Sequence, residues 1–245
     1  MTDLKSLKIK IFADGADLAS MKTLYANPIV KGFTTNPTLM KQAGVAEYAD
    51  FARKVVAAIP DRPVSFEVFA DDFDEMERQA IEIASWGANV NVKIPVTNTK
   101  SEFCGPLVSR LSKRGVQLNV TAIFTLDQVR RVTEALSADT PAIVSVFAGR
   151  IADCGIDPVP LMAEAARIMK IRPKAELLWA SPRELLNVIQ ADEVGCGIIT
   201  VTGDLIKKLA LIGKDQDAYS LETVKMFYND ARAAGFTIAT PALAK

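Results

Sequence analysis

Histidine is absent from this chain, and its absence removes a block of chemistry at once. Triads that rely on an imidazole base, zinc sites built on imidazole nitrogens, and proton shuttling by a side chain that titrates near neutrality all need it. Cysteine is scarce: Cys104, Cys154 and Cys196 are odd in number and far apart, a pattern that fits neither a disulfide framework nor a thiolate metal cluster. They read as reduced, small hydrophobic fillers. Net charge is missing as well, with Lys plus Arg at 29 against Asp plus Glu at 29. No broad field gathers phosphate backbone or anionic lipid, so neither nucleic acid nor membrane is expected as a partner. The opening MTDLKSLKIK has no apolar signal-peptide core, and no run approaches the roughly 18 apolar residues of a membrane span. A cytoplasmic location is expected. Glycine-rich phosphate loops of the nucleotide and dinucleotide types are lacking too. The crowded acids of DDFDE, from residue 71, form an acidic helix start and cannot converge on one cation. Neither a cofactor nor a metal is expected. Any chemistry must come from lysine, carboxylates, hydroxyls, amides and arginine.

What the chain does have is the material of a large core, with 49% apolar and 24% charged residues. Apolar or alternating runs recur eight times: KIKIFAD (8–14), KGFTTN (31–36), PVSFEVF (63–69), NVNVKIPV (89–96), QLNVTAIF (117–124), AIVSVFAG (142–149), AELLWAS (175–181) and CGIITVT (196–202). Helix-period segments lie between them. DDFDEMERQAIEIASW places Phe73, Met76, Ala80, Ile83 and Ala84 on one stripe. SEFCGPLVSRLSKRG and TLDQVRRVTEALS are two more. Strands alternating with helices pair in parallel through crossovers, and eight such units close into a (β/α)8 TIM barrel. With no linker or repeat to divide the chain, a single catalytic domain over 1–235 is expected, followed by a C-terminal tail over 236–245, docked or frayed.

Closure turns period-two alternation into a statement about direction, since alternate strand residues face the interior and the surrounding helices. In NVNVKIPV the set Val90, Val92, Ile94, Val96 must face the helices, which turns Lys93 into the barrel. The same rule turns Phe12, Asp14, Ser65, Glu67, Phe69, Asn119 and Thr121 inward, and Ala13, Phe66, Val120 and Ala122 outward. Polar inward residues gather toward the strands' carboxyl ends, the face where such barrels keep their active sites.

Lys93 has two readings. One is a buried structural ion pair with Asp14 or Glu67. The other is an amine nucleophile. A lysine side chain has an ordinary pKa of about 10.4 and attacks a carbonyl only as the free amine, a form favoured by desolvation or nearby cations. Arg150 and Arg183 follow the sixth and seventh runs, in FAGRIAD and ASPREL. They are either surface ion-pairing residues or, with Ser145, Ser181 and Asn36, a cradle for a phosphate, which arginine's planar fork suits. Asp153 and Asp157, in IADCGIDP, read as loop and helix cap.

Taken in order along nearly the whole chain, from FADGAD through TTNPT and VKIPVT to ITVTGDLIKKL, these residues resemble the transaldolase family, class I Schiff-base enzymes on an (α/β)8 barrel. The resemblance implies that Lys93 forms the imine and that Asp14 is the acid/base at the substrate C4 hydroxyl. Glu67 and Thr121 would hold and activate the catalytic water. Thr35, Asn36, Asn119 and Ser145 would contact the substrate, while Arg150, Ser181 and Arg183 would grip its terminal phosphate. The implied partners are sugar phosphates and further copies of the chain in a homo-oligomer. A related fructose-6-phosphate aldolase branch carries glutamine where this sequence has Glu67 and tyrosine where it has Phe147; both residues here are of the transaldolase kind. Aldolase-type release of dihydroxyacetone and a sulfonated ketose as substrate remain as alternatives.

Overall fold

The computed structural model describes residues 4–241. Eight parallel strands close into a barrel in sequence order: β1 Lys10–Asp14, β2 Val30–Thr34, β3 Val64–Glu67, β4 Val90–Pro95, β5 Leu118–Ile123, β6 Ala142–Val146, β7 Ala175–Trp179 and β8 Ile198–Val201. The helices are α1 Leu18–Tyr25, α2 Pro37–Gln42, α3 Tyr48–Ala58, α4 Phe73–Ala84, α5 Gly105–Lys113, α6 Leu126–Ala135, α7 Ala148–Asp153, α8 Pro158–Met169, α9 Leu186–Glu193, α10 Gly203–Lys208 and α11 Gln216–Ala233. The architecture is the expected (β/α)8 barrel. Its strands and helices through α10 lie in one compact unit, Leu7–Lys208. A second unit takes in the chain from Leu209 onward. Of the tail expected at 236–245, residues 236–241 carry no regular structure and 242–245 lie outside the described residues. Among the described residues, no helix is long and apolar enough to cross a membrane.

Local chemistry fixes where elements begin. Asp72 caps α4, its carboxylate accepting from the Asp74 and Glu75 N–H groups. Thr125 and Gln128 form a reciprocal capping box on α6, and Asp157 caps α8 with Pro158 at its first position. The apolar stripe of α4 buries Met76, Ala80 and Ile83. Between strands and helices lies a dry layer in which Phe66, Val92, Ile94, Val120 and Val144 have no exposed surface.

Inside the barrel, Phe12, Ile143, Leu178, Ala180 and Ile198 pack into an apolar plug. A large side chain buried there contributes about 2–3 kcal/mol. The plug also explains Gly32 on β2, where any Cβ would overlap the Phe12 ring.

Three departures from the expected strand pattern bear on the site. The third run was expected to reach Phe69, but β3 stops at Glu67 and Phe69 stands 52% exposed. The sixth was expected to reach Gly149, but β6 stops at Val146 and α7 begins at Ala148, which puts Arg150 and Asp153 on a helix. In β5, Ala122 has φ +60° and the pairing with β6 shifts register between Val120 and Ile123. This bulge interrupts the alternation, so Ala122 lines the interior cavity where simple counting turned it outward.

Candidate active site

Parallel register assembles the centre of the site. Glu67 on β3 pairs with Lys93 on β4, and Lys93 pairs with Asn119 on β5, so three inward side chains stand side by side. Lys93 is 7% exposed. Its Nζ donates to the Thr35 carbonyl at 2.9 Å and lies 3.3 Å from Glu67 Oε2. A lysine on a buried strand thus meets one carbonyl and one carboxylate, at the bottom of a cavity of about 420 Å3.

Asp14 ends β1 and lines the same cavity. Its carboxylate accepts from Thr34 Oγ1 at 3.0 Å and from Asn36 Nδ2 at 3.4 Å. Burial pushes its pKa above the ordinary value, opposed by the Lys93 charge and by those two hydrogen bonds. Asn36 is held by the helix it starts, its Oδ1 capping α2 through the Leu39 N–H at 2.9 Å. Across the barrel, Ser145 Oγ donates to Asn119 Oδ1 at 2.7 Å, and Asn119 Nδ2 donates to Ser65 Oγ at 3.1 Å. That chain fixes the Asn119 amide. Thr121 Oγ1 is buried, and among the described residues it has no hydrogen-bond partner. The residue lines the cavity.

The mouth is built by β6, β7 and α7. Phe147 and Arg150 line it, the Arg150 guanidinium carbon lying 5.3 Å from the Phe147 ring centroid. Ser181 follows β7 with φ +57°, a left-handed turn that places it on the cavity wall. The Gly149 N–H bonds the Ala180 carbonyl at 3.2 Å. A Cβ on Gly149 would fall onto the Ser181 carbonyl, so a residue without a side chain is what lets α7 seat against this turn.

The cavity thus gathers Lys93, Asp14, Glu67, Thr121, Asn36, Asn119, Ser145, Phe147, Arg150 and Ser181. Two expected residues stand elsewhere. Thr35 is fully buried and its hydroxyl donates to the Ser65 carbonyl at 2.8 Å, leaving its main-chain oxygen to serve Lys93. Arg183 is absent from the lining; its fork grips Asp153 through Nε at 2.9 Å and through a shorter Nη2 contact. Several lining residues were not anticipated, and two of them are tied to Asp14. Thr34 bonds Asp14 and shares a short hydrogen bond with Thr200, and both threonines line the site. The signal was available in the alternation: Thr34 is the register partner of Asp14, and Thr200 that of Phe12. Cys104 and Cys196 are buried, and burial pushes both thiols up to about 12. Cys154 is exposed.

An amine out of bulk water, flanked by carboxylates and open hydroxyls, is equipped to add to a carbonyl and to manage the protons of that addition. Comparison with known proteins bears on this chemistry. The model of the family described as Transaldolase/Fructose-6-phosphate aldolase matches residues 11–243. A probable transaldolase of Dehalococcoides mccartyi is 38% identical over 194 residues, covering 79% of this chain and 86% of that protein. One from Methanococcus maripaludis is 35% identical over 202 residues, or 82% and 89% of the two chains. Among solved structures, 2,3-dimethylmalate lyase superposes with a TM-score of 0.56 at 12% identity, over 98% of this chain and 88% of that one. KGPDC from Streptococcus mutans gives 0.55 at 12% identity, over 80% and 88%. At such identity the likeness is one of fold.

Proposed function

The chain belongs to the transaldolase/fructose-6-phosphate aldolase family, and from that premise we propose that it transfers a dihydroxyacetone unit from a ketose phosphate to an aldose phosphate through a Schiff base on Lys93. The observation that carries the reading is the Lys93 amine, 7% exposed, between Glu67 and the Thr35 carbonyl beneath an open cavity.

In this reading the free-amine form of Lys93 adds to the C2 carbonyl of a donor such as fructose 6-phosphate or sedoheptulose 7-phosphate. Glu67 and Thr121, through a water molecule, pass the protons that turn the C2 hydroxyl into a leaving water and leave an iminium. Asp14 then takes the C4 hydroxyl proton. The C3–C4 bond breaks, its electron pair moves into the iminium, and an aldose phosphate departs while a dihydroxyacetone enamine stays on Lys93. A second aldose phosphate accepts that enamine, and hydrolysis of the new iminium releases the product and the amine. The protonated imine is the electron sink, the work a divalent ion does in metal-dependent aldolases. Asn36, Asn119 and Ser145 hold the sugar hydroxyls. Arg150 and Ser181 hold the terminal phosphate, and Arg183 joins them on leaving Asp153. Phe147 carries no proton to quench the enamine, which favours transfer over release. The enzyme works in the cytoplasm and assembles with further copies of itself.

The test is borohydride reduction in the presence of fructose 6-phosphate, followed by mass mapping. The expected adduct is on Lys93, and Lys93→Met abolishes both adduct and turnover; full activity in that variant would refute the assignment. Donor cleavage measured with and without an acceptor aldehyde separates transfer, which needs the acceptor, from aldolase-type release, which does not.

A further inference from the structure

The way β3 ends is the feature the reaction leaves unexplained. The ladder between β2 and β3 runs through Phe33 paired with Val64 and Thr34 paired with Ser65, with Phe33 N–H on the Pro63 carbonyl at 2.8 Å and Thr35 N–H on the Ser65 carbonyl at 3.3 Å. Parallel strands alternate their bonding sides, so the next rung would place the Glu67 N–H on the Thr35 carbonyl. That rung is not made. The Glu67 N–H instead goes to Tyr48 Oη at 2.7 Å, and the same phenol donates to the Glu67 carbonyl at 2.9 Å. The Thr35 carbonyl is thereby left to accept from Lys93 Nζ.

We propose that Tyr48, at the start of α3, is a positioning residue: its phenol takes the place of β2 beside Glu67, holding that residue's main chain and reserving the Thr35 carbonyl for Lys93. The proposal rests on the reading of Lys93 and Glu67 given above. A buried or half-buried backbone N–H must find an acceptor. Without the phenol, the acceptor nearest in the ladder is the oxygen that now orients the amine. Glu67 and Lys93 would then be disturbed together.

The surroundings of Tyr48 fit a fixed support. Its ring meets Phe66 edge-on with centroids 6.2 Å apart, Trp86 at 5.6 Å and Phe69 at 4.5 Å. Burial raises the phenol's pKa, so it keeps the proton it donates. Two residues beyond Glu67, Gln79 Oε1 on α4 accepts from the Phe69 and Ala70 N–H groups at 2.8 and 3.0 Å. Two side chains from two helices thus serve polar groups at the end of β3, which stays paired to β4 through the Val68 N–H on the Lys93 carbonyl at 3.1 Å.

The experiment is timed borohydride trapping with fructose 6-phosphate in wild type, Tyr48→Phe, Glu67→Gln and the double variant. Tyr48→Phe keeps the ring contacts and is expected to slow adduct formation on Lys93 by about 10- to 100-fold, the scale of a catalytic group displaced by an ångström. Half-saturating donor concentration should stay within about twofold, since no phosphate contact is touched. In the Glu67→Gln background the Tyr48→Phe loss should be smaller, because the part that acts through the Glu67 carboxylate is already gone while the part that acts through Lys93 remains. A wild-type trapping rate in Tyr48→Phe, or an equal loss in both backgrounds, overturns the role of Tyr48 and leaves Lys93 as imine former. If wild type gives no adduct on Lys93 with fructose 6-phosphate or sedoheptulose 7-phosphate, the reaction and this role fall together. Should Tyr48→Phe not fold, Tyr48→Met removes the same hydroxyl while an adaptable apolar side chain fills the ring's place. It must then slow trapping, and a wild-type rate refutes the proposal.

Discussion

At the scale of single residues, the site keeps a carboxylate where water is scarce. Desolvation is the largest influence on Asp14 and outweighs the pull of Lys93, so its proton is held more tightly in the folded chain than the ordinary value of 3.8 implies. The native state therefore binds more protons than the unfolded state from about that pH upward through Asp14's own titration, and stability falls across the window. At neutral pH the ionised group is a net burden on the fold. Asp14→Asn should accordingly melt higher than wild type at pH 7, with the gap shrinking as the pH is brought toward 4, while turnover drops by about 10²- to 10⁴-fold, as expected for loss of an acid/base group. Thermal melts at three pH values beside an activity assay check both signs. Lys93, Asp14 and Glu67 were legible in the sequence because apolar neighbours on both sides left one direction for each to point. Arg183 shows the limit of that logic. Its place on the chain after β7 says nothing of whether its fork turns to a ligand or, as here, to Asp153, since both choices satisfy a guanidinium equally well.

At the scale of elements, the eight strands and the helices between them followed from periodicity, but strand ends did not. A strand ends where its neighbour stops offering hydrogen bonds, and that is set by residues distant in sequence: Tyr48 for Glu67, nineteen positions apart. The bulge at Ala122 was hidden for a related reason, because a left-handed φ on alanine leaves no compositional mark. The junction of α7 with β7 is a further case, and it carries a prediction. Gly149 admits the Ser181 carbonyl into the space a methyl would fill. Gly149→Ala should destabilise the protein by about 1–3 kcal/mol, as overpacking of a tight contact does, and should raise the donor concentration needed for half-saturation by shifting the Ser181 turn. Denaturant midpoints and donor titrations would detect this; an unchanged midpoint together with unchanged saturation would contradict it.

At the scale of the whole molecule, two features extend past the single barrel. The first is α11, an 18-residue helix with no buried residue, on which Leu221, Val224, Phe227 and Tyr228 are 53 to 63% exposed. Most helical stability in proteins comes from packing of an apolar face, and large exposed apolar side chains of this kind are candidates for an interaction surface. In line with the proposed self-assembly, Phe227→Asp should lower the oligomeric state measured by light scattering, while a monomeric wild type would count against assembly. The second is the apolar plug of Phe12, Ile143, Leu178 and Ile198. Its Leu178 also walls the cavity that Lys93 lines. In the proposed transfer the first aldose leaves before the second binds, so the kinetics should be ping-pong, with parallel double-reciprocal lines; intersecting lines would count against a fragment held covalently on Lys93.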